Sequence, residues 1–181
     1  MAIERFTPAE RLYHWANAAA VTLLLASGAL IWQDLDKWRP NGVNVLEKGH
    51  FWLGGGLMVG SLVLFLLLRR RRIPQARERF NPGQRLSLRA FQVLLGWMLA
   101  SGIVIEFGKA WGMTKPVRGL FKQAHLLSAA AILALVIGHL GMVLLVAKNR
   151  GILAAMVKGS VDRDVLARSN PEWLKRVESE A

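Results

Sequence analysis

The sequence predicts an all-α integral membrane protein, a four-helix bundle that fills one domain over residues 1–181. Three observations lead there. Residues with apolar side chains make up 53% of the 181 residues. They gather in four blocks nearly free of charge, 15–32, 50–68, 90–105 and 124–147. A helix that crosses a bilayer needs about 20 residues, within a range of about 17–25. The third block reaches that length when Ser87, Leu88 and Arg89 open its helix and Arg89 extends its stem to the interface. None of the blocks shows the polar stripe of a surface helix in a soluble bundle. The charges sit between the blocks: the N-terminal tail, the 69–89 connection and the tail beyond Ala147 hold 17 of the 24 Lys and Arg. Four spans put these three segments on one side, and the positive-inside rule makes that side the cytoplasm, with both termini in it.

The same distribution decides what the net charge of +12 means. Arg69 to Arg72 abut the second block, where they would meet anionic lipid headgroups. The basic balance therefore reads as a topology signal, and no nucleic-acid partner is expected. The first block does not read as a cleaved signal peptide. It opens on a helix-cap pattern, lacks a small-residue cleavage motif and is too long for an h-region, so the N-terminus is expected to be retained. The chain has no cysteine. Disulfides, iron–sulfur clusters and thiolate metal sites are excluded within it, and any redox centre must rest on histidine, methionine or oxygen donors.

The spans are expected at about 11–33, 49–69, 87–107 and 123–147, with a cytoplasmic tail over 148–181. The first helix opens at "TPAERLYHW": Thr7 is the N-cap, Pro8 suits the first helical position and Glu10 completes a capping box. "QDLDKWRPNGVNVLEKG" is an outer connection turned by Pro40-Asn41-Gly42. The second helix descends from about Lys48 to Arg70. "RIPQARERFNPGQRL" is an inner connection, broken by Pro74, Pro82 and Gly83. The third helix rises to about Phe107, "GKAWGMTKPVRG" forms the second outer connection, and the fourth helix descends. The tail sequence "NPEWLKRVESEA" reads as a short surface helix or an extended arm. No internal repeat is read.

All four histidines lie within or at the ends of the spans. An ionisable ring is costly in a bilayer and needs a partner. This topology puts His50 and His125 in the outer half of the membrane and His14 and His139 in the inner half. His125 and His139, both on the fourth helix, are fourteen residues apart, which is about 21 Å of rise and about 40° of rotation. They share a face, four turns apart. Two b-type haems stacked across the bilayer need this placement, each iron taking one imidazole from the fourth helix and one from another. Gly54 and Gly28 are small residues placed to make room. A zinc or non-haem iron site would want three or four clustered ligands, and the separation rules out one shared centre. With both axial positions filled, such an iron is expected to transfer electrons rather than bind substrate. Haem propionates need cations, for which Arg11 on the inner side and Arg118 and Lys122 on the outer side are candidates. The competing reading is a haem-free membrane anchor or small transporter, with the histidines as inter-helix hydrogen bonds or a proton relay. A relay commonly uses intramembrane Asp or Glu, and the spans hold none before Glu106.

"RFTPAERLYHW", "GHFWLGG", "RFNPGQRL", "ASGIV", the two fourth-helix histidines and "AAMVKGSVDRDV…NPEWLKRVE" together resemble the cytochrome b (gamma) subunit of membrane-bound formate dehydrogenase, over nearly the whole chain. Related b-type subunits of nickel–iron hydrogenases and thiosulfate-type reductases share the four-helix, di-haem plan. The resemblance implies that His14 and His139 ligate an inner haem and His50 and His125 an outer one. It implies a quinone site, for menaquinone or ubiquinone, at Asn81, Gly83 and Gln84, whose amides and free backbone N–H suit a quinone carbonyl. Read alone, "NPGQ" is a turn that caps the third helix. Pro82 departs from the family, which often has a small residue there; it removes a donor and stiffens the segment. The tail lacks the histidines often seen before its Pro-x-Trp, and the outer connections are short. The implied partners are an iron–sulfur subunit and a molybdenum- or tungsten-containing catalytic subunit that itself oxidises formate, in a bacterial inner (plasma) membrane. Electrons would pass from the iron–sulfur partner through the outer and inner haems to the quinone.

Overall fold

A computed structural model describes residues 2–33, 44–70, 79–80, 82–146 and 150–179, the side chains of 62, 64–70 and 150 excepted. The elements are β1 (Ala2–Glu4), α1 (Pro8–Trp32), α2 (Val45–Arg70), α3 (Pro82–Phe107), α4 (Lys115–Leu144), α5 (Arg150–Lys158), β2 (Ser160–Asp162), α6 (Arg163–Ser169) and α7 (Pro171–Ser179). Helices α1, α3 and α4 are long and apolar enough to cross a membrane, and almost none of their residues is fully buried within the protein. At 26 residues, α2 matches α3 in length.

Local chemistry sets the helix starts. The Thr7 hydroxyl accepts from the Glu10 N–H at 3.3 Å, and the Glu10 carboxylate accepts from the Thr7 N–H at 2.9 Å. This is the capping box read from the sequence, with Pro8 in the first turn. Helix α3 begins at Pro82, so Pro82 and Gly83 lie in its first turn rather than in a connection. Proline is tolerated there because its missing N–H would have had no intrahelical acceptor. Helix α4 begins at Lys115, earlier than the 123 expected for its span, and so includes Pro116 and Arg118. Between α3 and α4 the chain reverses through Gly112, whose φ of 76° favours glycine. The Met113 N–H bonds back to the Gly108 carbonyl at 2.9 Å. Pro40-Asn41-Gly42 and Pro74 lie outside the described residues.

Helix α1 packs along α2, α3 along α4, and α2 touches α3. The Ser61 hydroxyl reaches Asn17 Oδ1 at 3.0 Å across the α1–α2 seam. Trp97 stacks on Phe121 across the α3–α4 seam, centroids 6.0 Å apart. Lys48 at the start of α2 pairs with Glu106 at the end of α3.

Within "NPEWLKRVESEA" the chain forms the short helix α7, the helical one of the two expected alternatives, with Trp173 and Leu174 buried rather than on a free surface. The tail folds back on the N-terminus as α5, β2, α6 and α7. β1 and β2 pair antiparallel, with Ala2 opposite Asp162, Ile3 opposite Val161 and Glu4 opposite Ser160. Ile3 and Val161 face one side together, as period-two alternation requires, and join Phe6, Ala155, Leu166, Trp173 and Leu174 in a small core. Gly159, at φ 90°, turns α5 into β2, and its carbonyl accepts from the N–H groups of Arg5 and Phe6 at 2.8 and 3.0 Å. Among the described residues, these two strands form the one minimal sheet of a largely helical fold. The end of the bundle bearing this cap is called basal below, and the other end distal.

Candidate functional site

The bundle brings the four histidines together as two pairs. His14, six residues into α1, faces His139 of α4 in the basal half, with ring centroids 6.2 Å apart and planes at 54°. His50 of α2 faces His125 of α4 in the distal half, at 6.3 Å and 64°. These spacings carry chemical information. Two metal–imidazole bonds of about 2.0–2.1 Å, with the distance from each bonding nitrogen to its ring centre added at both ends, place the ring centroids of two opposed imidazoles about 6–6.5 Å apart. Both pairs sit at the distance of two axial ligands on one metal. Among the described residues, no three of His, Cys, Asp and Glu gather closely enough to hold a bare ion. Each pair offers two donors, which is the number suited to a group that brings its other donors with it, such as a metalloporphyrin.

The distal rings are held from behind. His50 Nδ1 lies 2.8 Å from the Ser27 hydroxyl of α1, and His125 Nδ1 lies 2.8 Å from the Ser101 hydroxyl of α3. Each Nδ1 is thereby engaged by a serine of a neighbouring helix. A glycine follows each serine. A Cβ on Gly28 would stand 3.3 Å from the His50 ring, and one on Gly102 would stand 3.7 Å from the His125 ring. Gly28 therefore lies level with the distal pair. A Cβ on Gly54 would meet Leu24 at an ordinary 3.8 Å, so this glycine adjoins α1 and not a histidine.

Ser27, Ser101 and Gly102 were missed by sequence reasoning. The signal was available: Leu25-Ala26-Ser27-Gly28 and Leu99-Ala100-Ser101-Gly102 are the same tetrapeptide, where no repeat had been read. It is used twice in the same way, once on the helix beside each distal histidine. The basal rings are set differently. His14 stacks edge-on against Trp15, centroids 5.4 Å apart, and the Trp15 indole N–H donates to the Met156 carbonyl of α5 at 3.1 Å.

The cationic candidates fall at both ends. The Arg11 guanidinium donates to the Val157 carbonyl, while its Nε is buried with no partner among the described residues. Arg118 Nε is buried and partnerless in the same sense. Arg118 lies two turns before His125 on nearly the same face of α4, about 20° away. Orphaned donors of this kind suit an anionic substituent beside each pair. Lys122 is exposed. Of the three residues in the quinone expectation, Gly83 is exposed and Gln84 half-buried in the first turn of α3, and Asn81 lies outside the described residues. Arg79, just before them, pairs with Glu10 at 2.5 Å and accepts a bond from Asn170 Nδ2 on its carbonyl at 3.0 Å. These contacts draw the start of α3 to the start of α1, one turn before His14.

A family model described as prokaryotic cytochrome b561 matches residues 5–159. Among curated proteins, the chain is similar to the formate dehydrogenase cytochrome b556(fdo) subunit of Escherichia coli K12, at 24% identity over 204 aligned positions covering 97% of this chain and 93% of that one. The same subunit from the O6:H1 and O157:H7 strains matches at the same identity and coverage.

Proposed function

This chain belongs to the prokaryotic cytochrome b561 family, and from that footing we propose that it carries electrons across the membrane between a partner iron–sulfur subunit at the distal face and a quinone at the basal face. Membership makes it a b-type cytochrome and a membrane electron-transfer subunit. The finer reading is ours: two b-type haems, one held by His50 and His125 and the other by His14 and His139, with α2 as the fourth span. The observation that carries it is the ring spacing of 6.2 and 6.3 Å in two separate pairs.

Held by these imidazole pairs, each haem would supply a one-electron iron couple suited to electron transfer. The chain's own residues do the rest. The four imidazoles fix the depth of the two centres. The aliphatic faces of the helices exclude water and keep the local dielectric low. Arg11 and Arg118 offer buried N–H donors to the acidic substituents of the ring, one at each end. At the basal face the first turn of α3, with Gly83 and Gln84, offers donors to a quinone carbonyl, with Asn81 as the third residue proposed for this site from its place in the sequence, and the Arg79–Glu10 pair holds that turn against α1. Reduction of menaquinone or ubiquinone there would take its protons from the basal side.

The likeness to formate dehydrogenase subunits supports a place in a complex of that kind, with a molybdenum- or tungsten-containing subunit beyond the iron–sulfur partner. The excess of Lys and Arg at the basal end supports a bacterial inner-membrane location with both termini cytoplasmic. The test is a dithionite-reduced spectrum with quantified haem. Two b-type haems per chain are expected, falling to one in His50→Ala and to one spectrally different haem in His14→Ala. Folded protein without a Soret band would overturn the reading. Mass spectrometry of the gently solubilised complex identifies the donor subunit.

A further inference from the structure

The tetrapeptide Leu-Ala-Ser-Gly occurs at 25–28 and 99–102, each copy lying against a different histidine of the same pair. We infer that it is a duplicated docking device that fixes both distal histidines as Nδ1–H tautomers and so makes the distal and basal centres electronically unequal. The inference rests on the proposed haem ligation for its redox consequence but not for its tautomer.

The serine hydroxyl has one hydrogen to give. The Ser27 hydroxyl lies 2.7 Å from the Leu23 carbonyl and 3.2 Å from that of Leu24. The Ser101 hydroxyl lies 2.8 Å from the Trp97 carbonyl and 3.2 Å from that of Met98. Both are the back-bonded geometry of a serine inside an apolar helix, where the hydrogen goes to the carbonyl one turn earlier. With its hydrogen spent, the oxygen meets the ring nitrogen at 2.8 Å as an acceptor, so that nitrogen must donate. The proton sits on Nδ1 and the lone pair on Nε2. The glycine after each serine lets the ring approach the neighbouring helix: a Cβ there would stand 3.3 Å from Cε1 of His50 and 3.7 Å from Cε1 of His125. One short sequence thus supplies both the acceptor and the space, once from α1 and once from α3.

The basal pair has no such device. Among the described residues, no side chain hydrogen-bonds to the ring of His14 or His139. An acceptor behind a ligating imidazole raises its basicity and stabilises the more oxidised metal. The serines therefore hold the distal midpoint below the value it would have without them and leave the basal midpoint untouched. A lower distal potential favours electron movement from the distal to the basal side.

The test uses the full chain labelled with ¹⁵N-histidine, haem-free and haem-loaded, with Ser27→Ala and Ser101→Ala as variants and Ser27→Thr as the conservative control. In the haem-free parent, His50 and His125 are expected to show the Nδ1–H nitrogen pattern, lost for one histidine in each alanine variant and kept in Ser27→Thr. In the loaded protein, each alanine variant is expected to move one midpoint upward and leave the other in place. An Nε2–H pattern for both distal histidines of the parent, or two unmoved midpoints in the alanine variants, overturns the inference with the haem assignment intact. A chain that binds no haem overturns the assignment instead, and the nitrogen spectrum then decides the inference alone. If the alanine variants do not fold, the parent spectrum and the Ser27→Thr midpoints decide it.

Discussion

At the basal cap, Leu166 is 0% exposed among Ile3, Phe6, Val161, Trp173 and Leu174. In the bundle, Leu127 is 72% exposed, and Leu23, Val59 and Ile137 likewise turn outward. Among the described residues of the four long helices, Ile132 and Ser101 alone are buried. The cap obeys the rule of a protein in water, apolar residues inward. The bundle obeys that of a protein in lipid: its apolar surface needs no shelter, and its polar groups are the ones paired inside. Asn17 with Ser61, Ser27 with His50 and Ser101 with His125 are such pairs. A substitution of one type should therefore have opposite consequences in the two regions.

The largest effect should come from Leu166→Ala. Removing a fully enclosed leucine leaves a cavity in a core too small to collapse around it, at a cost of about 3 kcal/mol or roughly two decades in the open population of the cap. Limited trypsin digestion in detergent measures it, since α6 and α7 carry Arg163, Arg168, Lys175 and Arg176. The tail should be released much faster, while the helical signal and the haem content of the bundle persist. Simultaneous loss of the haem proposed for the basal pair would show instead that Trp15 and Arg11, through their bonds to Met156 and Val157, couple the two regions into one cooperative unit.

This contrast also explains what the sequence could tell. The apolar blocks were legible because a lipid-facing helix needs only composition and length. The capping box was legible because its partners are three residues apart. The histidine pairs followed once four spans fixed the depths, since spacing along a helix translates directly into height. The cap was not legible. β1 is three residues long and its partner β2 begins at Ser160, so nothing local announces the pairing. Likewise Pro82 and Gly83 read as breakers because both residues disfavour helix interiors, yet the first turn is where proline is accepted. Ser27 and Ser101 stood in plain view as ordinary small polar residues of a membrane helix. The repeated Leu-Ala-Ser-Gly marks both in the sequence, but only the 2.8 Å distances to the rings give the repeat its meaning.

A smaller effect is expected where the cap meets the bundle. Arg79 bonds to Glu10 at 2.5 and 3.3 Å and to the Arg5 carbonyl at 2.7 Å, with its guanidinium 5.0 Å from the Phe6 ring centroid and 5.1 Å from that of Phe80. Arg79→Ala strands the Glu10 carboxylate at the start of α1. It also relieves Arg5, whose pKa is pushed down to about 10 by burial first and by the Arg79 charge second. The relief offsets part of the loss, so about 2 kcal/mol is expected, below the range for a fully buried pair that loses one partner. A double-mutant cycle with Glu10→Gln, read by thermal unfolding in detergent, should return a coupling of about 1 kcal/mol. Strict additivity would mean that the pair is not formed in the membrane-embedded protein.

The smallest effect is expected at Leu127, on the exposed surface of α4. A leucine that faces acyl chains both before and after the helices associate gains nothing from the association, because the lipid is as apolar as the residue. Leu127→Ala should therefore cost less than about 0.5 kcal/mol when unfolding is followed in mixed micelles or nanodiscs, although it removes the same atoms as Leu166→Ala. The pair of substitutions is the sharpest measure of the contrast: identical chemistry, one site enclosed in a small aqueous core and the other facing solvent that is itself hydrocarbon. A loss at Leu127 as large as that at Leu166 would show that this face of α4 is packed by protein, a neighbouring subunit or a second copy of the chain, and would move the boundary between the two regimes onto the bundle itself.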